Sequence, residues 1–486
     1  MSKNNLNLAL IFNVLGIILM IEAVYMIMTV IVTFIYHENI KWLIVLSMVI
    51  TFVSGLLLYL FTKPRIKSKN FSRKDSFLLV TLVWIVISLF GTLPYLLTGA
   101  IPRFVDAFFE SVSGFTTTGS SILKNVEIMP KSILFWRSET HWIGGIGVVV
   151  LFIALFPSLK VGRIYLFNAE ASVVVDEKPL PKMFDIARNL WFVYLFLTLA
   201  EIILLVLGGM DLFDSICHSF ATIATGGFST KNASIGAYSP YIQYVIAIFM
   251  ILSATNFNLY LFAIRGKFMF FKNEEYKAYL GILFTAVFIA TAALYFHGWG
   301  LEKAFRSALF NISSLMTATG FATVDYFHKW PFLALMMIIL VMFVGASSGS
   351  TGGGVKVIRY VIMFKKMKNS FKEMLHPNLV THVRYNGQIV PEDSVSRVLV
   401  FIFFYYFIVF IGTLILVLTG VDPVTAFGSA LTTMGGMGPG LGVTGPAGNF
   451  SSIPVIGKYT LSALMIIGRL EIYTVLIIFS KQFWRP

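Results

Sequence analysis

The chain has 486 residues, 57% of them hydrophobic and only 12% charged, with a mean hydropathy of +0.83. That balance excludes an ordinary soluble domain and places the chain among integral membrane proteins. Its net charge of +14 sits on Lys and Arg that flank apolar runs, not on an aromatic-interleaved basic patch, which excludes nucleic acid as a partner.

Residues 1–70 carry two apolar runs, near 8–36 and 42–62, each long enough for a bilayer core that takes roughly 20 helical residues to cross. The first run lacks a small-residue cleavage site and leads directly into the second, so it is expected to be a retained span. The pair reads as a two-helix N-terminal addition. Four repeats follow, over 71–165, 166–270, 271–390 and 391–486. Their apolar runs lie near 77–98, 138–157, 190–209, 241–264, 279–296, 332–344, 397–419 and 456–480.

Inside each repeat a shorter segment, 103–115, 211–222, 304–316 or 422–431, stops short of a full crossing. A helix of that length at membrane depth is re-entrant, and the non-helical backbone after it must line a wet cavity. Asp106, Asp211 and Asp422 stand at or near three of the starts, where carboxylates suit the positive end of a helix dipole. The opposite ends, partly negative, then aim at the segments that follow. Those segments are Thr116, Thr117, Thr118 and Gly119; Ile223, Ala224, Thr225 and Gly226; Thr317, Ala318, Thr319 and Gly320; and Thr432, Thr433, Met434 and Gly435. Aligned on their glycines, they recur about 100 residues apart. Glycine adopts positive φ freely, so successive carbonyls can turn toward one axis. Four such tracts make a ring of carbonyls able to replace the hydration shell of a small cation. No acidic side chain lies in the tracts, which argues against a divalent ion. A single tract of this kind would read as a close helix contact; four in register read as a monovalent-cation path.

In the third repeat the run 332–344 meets ten small residues, Gly345, Ala346, Ser347, Ser348, Gly349, Ser350, Thr351, Gly352, Gly353 and Gly354. This stretch cannot be a lipid-facing helix and is expected below the tracts as a movable plug, a packing kink being the simpler alternative. Gly345–Gly349 fits G-x-S-x-G without the strand-turn-helix setting that motif needs, so a serine hydrolase on Ser347 or Ser348 is a remote alternative. Gly349–Gly354 resembles a phosphate loop but is followed by Val355 in place of Lys. Arg469, inside the last apolar run, is costly in lipid and is expected to act as a barrier in the path, to anchor the loop, or to pair with a buried acid such as Glu201. Gly144 and Gly145 read as helix-packing positions.

Polar stretches rich in Lys and Arg hold 26 of the 37 basic residues on the side opposite the tracts. The positive-inside rule then places both termini in the cytoplasm and the tracts outside. The polar stretches 158–189 and 366–396 are expected to be linkers or docking surfaces. The single Cys217 and seven scattered His exclude an internal disulfide and a metal cluster, and the chain is not expected to be an enzyme or to bind an organic cofactor.

Together the four tracts, the run His141–Gly147, the Gly-rich loop with Lys356 and the segment Gly468–Thr474 resemble the TrkH branch of the superfamily of K⁺ transporters that also includes the KtrB and plant HKT proteins. The resemblance covers essentially the whole chain, and the extra helices in 1–70 are similar to TrkH more than to KtrB. It implies an all-α membrane fold of helix, pore half-helix, filter and helix repeated four times around one pore. It implies K⁺ as the transported ion, a homodimer in the bacterial cytoplasmic membrane, and a cytosolic nucleotide-binding regulatory ring of the TrkA kind. It also implies gating by the intramembrane loop and Arg469. Coupling of K⁺ to H⁺ or Na⁺ stays open.

Overall fold

In lipid a backbone must satisfy its own hydrogen bonds, so long apolar runs have little choice but helix. The computed structural model describes residues 6–66, 71–155, 181–264, 266 and 269–485, and the described secondary structure is helical apart from one two-stranded hairpin, Arg384–Tyr385 with Gln388–Ile389. The basic stretch 158–189 lies mostly outside the described residues. The N-terminal helices α1 (Leu8–Ile35) and α2 (Lys41–Thr62) pack at Gly16 and Gly55, where each glycine faces the other's carbonyl. Helix α3 (Arg73–Phe90) starts at a capping box between Ser72 and Asp75.

The four short segments are helices: α4 (Phe104–Phe115), α7 (Leu212–Ile223), α11 (Leu301–Met316) and α15 (Pro423–Gly435). Asp211 caps α7 by accepting from the Phe213 N–H, and Asp422 caps α15 by accepting from Thr425. The Thr425 hydroxyl and backbone hold the Asp422 carboxyl below its ordinary range. Asp106 pairs across the molecule with Lys458 at 2.6 Å.

Around them stand α5 (Lys131–Leu155), α6 (Pro181–Leu207), α8 (Pro240–Ser253), α9 (Phe257–Ile264), α10 (Glu274–Phe296), α12 (Phe332–Val344), α13 (Val357–Leu375), α14 (Glu392–Leu418) and α16 (Val455–Arg469). Six described helical segments are long and apolar enough to cross a membrane, and eight if two bent pairs each count as one span. Both bends fall within apolar runs long enough to span, 241–264 and 456–480. Helices α8 and α9 meet at 90° across Ala254–Asn256, and α16 breaks by 110° after Arg469. At the second break Glu471 and Ile472 both take positive φ, a conformation side chains adopt only when surroundings hold them there. Large apolar side chains such as Phe296, Phe332 and Leu418 lie outside, while a large apolar core fills the space between helices and a smaller cluster of Ile358, Ile362, Val383, Val390, Val395 and Val398 stands apart from it. The whole is a multi-pass, all-α membrane protein.

Candidate functional site

The ends of the four half-helices show one backbone pattern. In each, the last turn closes with a residue in the left-handed region, and two positions later comes a glycine with positive φ: Thr117 and Gly119, Thr225 and Gly227, Ala318 and Gly320, Gly436 and Gly438. The closing hydrogen bonds repeat too, from the N–H of Thr118, Gly226, Thr319 and Met437 to the carbonyls of Ser113, Ala221, Ser314 and Thr432.

These glycines close a ring. A Cβ placed on Gly119 would fall inside 3.0 Å of the Gly226 carbonyl oxygen, one on Gly227 inside 3.0 Å of the Thr319 oxygen, and one on Gly320 inside 3.0 Å of the Met437 oxygen. One on Gly438 would meet the Thr118 oxygen at 3.1 Å, which completes the circuit. Glycine is required twice over, by its positive φ and by the neighbouring carbonyl. The carbonyls of Thr118, Gly226, Thr319 and Met437 therefore form one layer, contributed in chain order by four tracts. Behind it the Thr116 and Thr118 hydroxyls bond at 2.8 Å, as do those of Thr317 and Thr319.

This geometry corrects the alignment of the tracts. Gly119 and Gly320 occupy equivalent places, but their counterparts are Gly227 rather than Gly226 and Gly438 rather than Gly435. Thr432, Thr433, Met434 and Gly435 lie within α15, and the Thr433 hydroxyl bonds back to the Ser429 carbonyl at 2.7 Å. In the second repeat Ile223 ends α7 and Ala224 is its C-cap.

Directly against the helix ends lies the segment 345–356. It is non-helical, with positive φ at Gly345, Gly349, Gly354 and Lys356. The Thr351 hydroxyl donates to the carbonyls of Ile223 (2.9 Å) and Ser253 (3.1 Å). Gly352 and Gly353 abut the carbonyls of Thr317 and Gly435, again closer than any Cβ allows. Ala346 donates to Gly353, and the Ser347 N–H to the Ala254 carbonyl. The Lys356 ammonium bonds the Gly352 carbonyl. Glu275 at the start of α10 ties both flanks, accepting from the Ser348 N–H and hydroxyl at 2.6 Å each and from the Ile358 N–H at 3.2 Å.

Arg469 reaches the same place. It donates to the Thr351 carbonyl at 3.1 Å and to the carbonyls of Gly144 (2.7 Å) and Gly145 (3.0 Å). One guanidinium thus joins the loop, α5 and α16. Gly144 itself abuts the Phe115 carbonyl and Gly468 that of Met434, so the packing reading of Gly144 holds and its acceptor role was not legible. Glu471, just past the break, pairs with Arg359 at 2.5 Å.

Two further groups were not read from the sequence. Glu110 and Arg137 form a fully buried ion pair at 2.8 Å. Glu110 also accepts from Ser121 and Ile122, and Arg137 donates to the Ser229 carbonyl, which braces the segments leaving the first two tracts. Charges inside half-helix and span are themselves the signal.

A membrane-embedded ring of four carbonyl-bearing tracts over a glycine loop defines a transport protein for ions. The chain belongs to the TrkH family: the family model described as a cation transport protein matches residues 42–291 and 278–485. The Trk system potassium uptake protein TrkH of Escherichia coli is 38% identical over 87% of this chain and 88% of its own length. That of Halomonas elongata is 34% identical over 99% and 100%. The crystal structure of the potassium transporter TrkH from Vibrio parahaemolyticus superposes with a TM-score of 0.88 at 32% identity, covering 99% of this chain and all of that one. Family and fold make the chain a transporter and not an enzyme, and the hydroxyl of Ser348 is bonded to a carboxylate.

Proposed function

We propose that this chain takes up K⁺ across a bacterial cytoplasmic membrane, with the Thr118, Gly226, Thr319 and Met437 carbonyls as the principal layer of its selectivity filter. The observation that carries this is the closed circuit in which each positive-φ glycine meets the next tract's carbonyl. Such a layer offers several oxygens at fixed spacing and no net charge, which suits a large monovalent ion. The relatives named as potassium uptake proteins support the ion. The hydroxyls of the first and third tracts brace the layer. The loop 345–354 and Arg469 form the gate, because they stand against the half-helix ends and are joined by the Thr351 carbonyl. Both termini are cytoplasmic and the tracts open outward, in keeping with the basic stretches. The reading includes assembly as a homodimer with a cytosolic nucleotide-binding partner of the TrkA kind, and the relatives' place in a Trk system supports a partner protein.

The test is uptake of Rb⁺ into liposomes holding only the purified chain. Uptake that follows the Rb⁺ gradient and exceeds Na⁺ uptake supports the reading. Equal Rb⁺ and Na⁺ fluxes overturn the filter assignment, and uptake that needs an imposed pH or Na⁺ gradient replaces a passive pore by a coupled symporter.

A further inference from the structure

We infer that Met437 couples the position of the gating loop to the shape of the carbonyl layer, and so acts as a specificity-determining residue. The inference rests on the proposed filter and gate. Met437 supplies the layer's fourth carbonyl, the one that abuts Gly320. Its N–H is held by the Thr432 carbonyl at 2.9 Å, which fixes one side of the residue at the end of α15. Its side chain is wholly buried and runs away from the layer toward the loop. Cγ, Sδ and Cε lie along Gly435, within 3.3 Å of where a Cβ of that glycine would stand, and Cε lies 3.7 Å from the corresponding point on Gly354. Gly435 is also where loop residue Gly353 rests, its open side facing the Gly435 carbonyl too closely for any Cβ. Gly345 and Gly354, the two ends of the loop, cross at close range at that spot. The methyl tip of Met437 therefore sits beside the closure point of the loop, while its backbone belongs to the layer.

The other three layer residues are built differently. The hydroxyls of Thr118 and Thr319 turn to threonines of their own tracts, and Gly226 has no side chain. Among the four layer residues, only Met437 thus sends its own side chain toward the loop. Methionine suits the task, since an unbranched thioether follows a moving surface without leaving a void. When the loop ends part, the support under Cε is withdrawn, the side chain changes rotamer and the Met437 peptide tilts relative to Gly320. Opening of the gate and loosening of the layer are then one event.

The experiment compares Met437→Leu and Met437→Ala with the parent, each with and without the loop segment 348–351, by K⁺/Na⁺ permeability ratio on purified full chain in liposomes. Leucine keeps the bulk but ends one atom short of Gly354. In the intact-loop background the ratio is expected to fall by about threefold for Met437→Ala and less for Met437→Leu, in the range of coupling between residues in contact. With the loop shortened, the parent ratio falls by itself and the Met437 substitutions add nothing further. Ratios unchanged by both substitutions, or effects that add fully to loop shortening, overturn the inference. Gly438→Ala measured alongside separates the levels: if it lowers the ratio while Met437 variants do not, only the coupling fails, and if it too is silent, the filter reading fails. Met437→Leu carries the test should Met437→Ala not fold.

Discussion

Each layer glycine answers to two independent constraints, and a substitution at any of them violates both. A Cβ at φ +80 on Gly119 costs roughly 1–2 kcal/mol in backbone strain and strikes the Gly226 carbonyl. Gly119→Ser is therefore expected to lower the K⁺/Na⁺ permeability ratio by about tenfold, equivalent to ~1.4 kcal/mol between the ions. Gly438→Ala is expected to act in the same direction. Thr433→Ala removes only a hydroxyl bonded within its own helix, so its ratio is expected to stay within about twofold of the parent. Selectivity lost in Thr433→Ala but kept in Gly438→Ala would return the filter to the Thr432–Gly435 register. Arg469 lends itself to a second measurement. A unit charge 4 Å from a cation opposes it by roughly 4 kcal/mol at an effective dielectric of 20, and the same guanidinium pins the loop through Thr351. Arg469→Ala is expected to raise K⁺ flux. Arg469→Lys is expected to raise it partway, because an ammonium cannot span the Thr351 and Gly144 carbonyls as a guanidinium does. Thermal stability on the same preparations decides the matter: a destabilised protein with unaltered flux leaves Arg469 a structural tie only.

Among elements, the loop is held by the charged groups of Glu275 and Arg469 and, for the rest, by backbone carbonyls, those of Ile223, Ser253 and Ala254 above all. The bonds to carbonyls are modest singly, about 1 kcal/mol each, which suits a segment that moves. Shortening 348–351 removes the Thr351 bonds and the two Ser348 bonds to Glu275 and is expected to increase flux severalfold in folded protein; unchanged or reduced flux at parental folding yield favours a packing kink. The elements themselves were largely legible. Segments too short to span, capped by Asp211 and Asp422, announced the half-helices, and ten small residues announced the loop. The register of the second and fourth tracts was not legible. Matching a Thr-x-x-Gly pattern selects the first available glycine, but the layer begins where a half-helix stops. α15 runs on through Gly435 and α7 runs one residue further than its pattern suggests, to Ile223, and only packing against neighbours decides either. The bends after Ser253 and Arg469 were hidden for a related reason: the polar residues at the breaks, Thr255, Asn256, Arg469 and Glu471, are too few to mark a break inside an otherwise apolar run. Arg469's acceptors lie 324 and 325 residues away on α5, beyond any local pattern.

At the scale of the whole molecule, one chain supplies all four members of the carbonyl layer, in the order Thr118, Gly226, Thr319, Met437, and the circuit closes from the fourth back to the first. A second copy is not needed to complete it. In the proposed homodimer the two layers should then be chemically independent, however strongly a cytosolic partner couples their gates. This can be measured by joining two copies end to end with a flexible linker, which is feasible when both termini lie on the cytoplasmic side. A tandem of parent and Gly438→Ala subunits is expected to show two conductance populations in planar bilayers, one with the parent K⁺/Na⁺ ratio and one with the lowered ratio. A single population of intermediate selectivity would mean that both chains line one path, which the closed circuit within one chain argues against. A tandem that fails to insert, when the same linker on a parent–parent pair fails too, would place the termini on opposite sides and overturn the orientation drawn from the basic stretches. The Gly438→Ala subunit is the right partner here, because Gly438 lies against the Thr118 carbonyl, where the layer closes from the last repeat to the first.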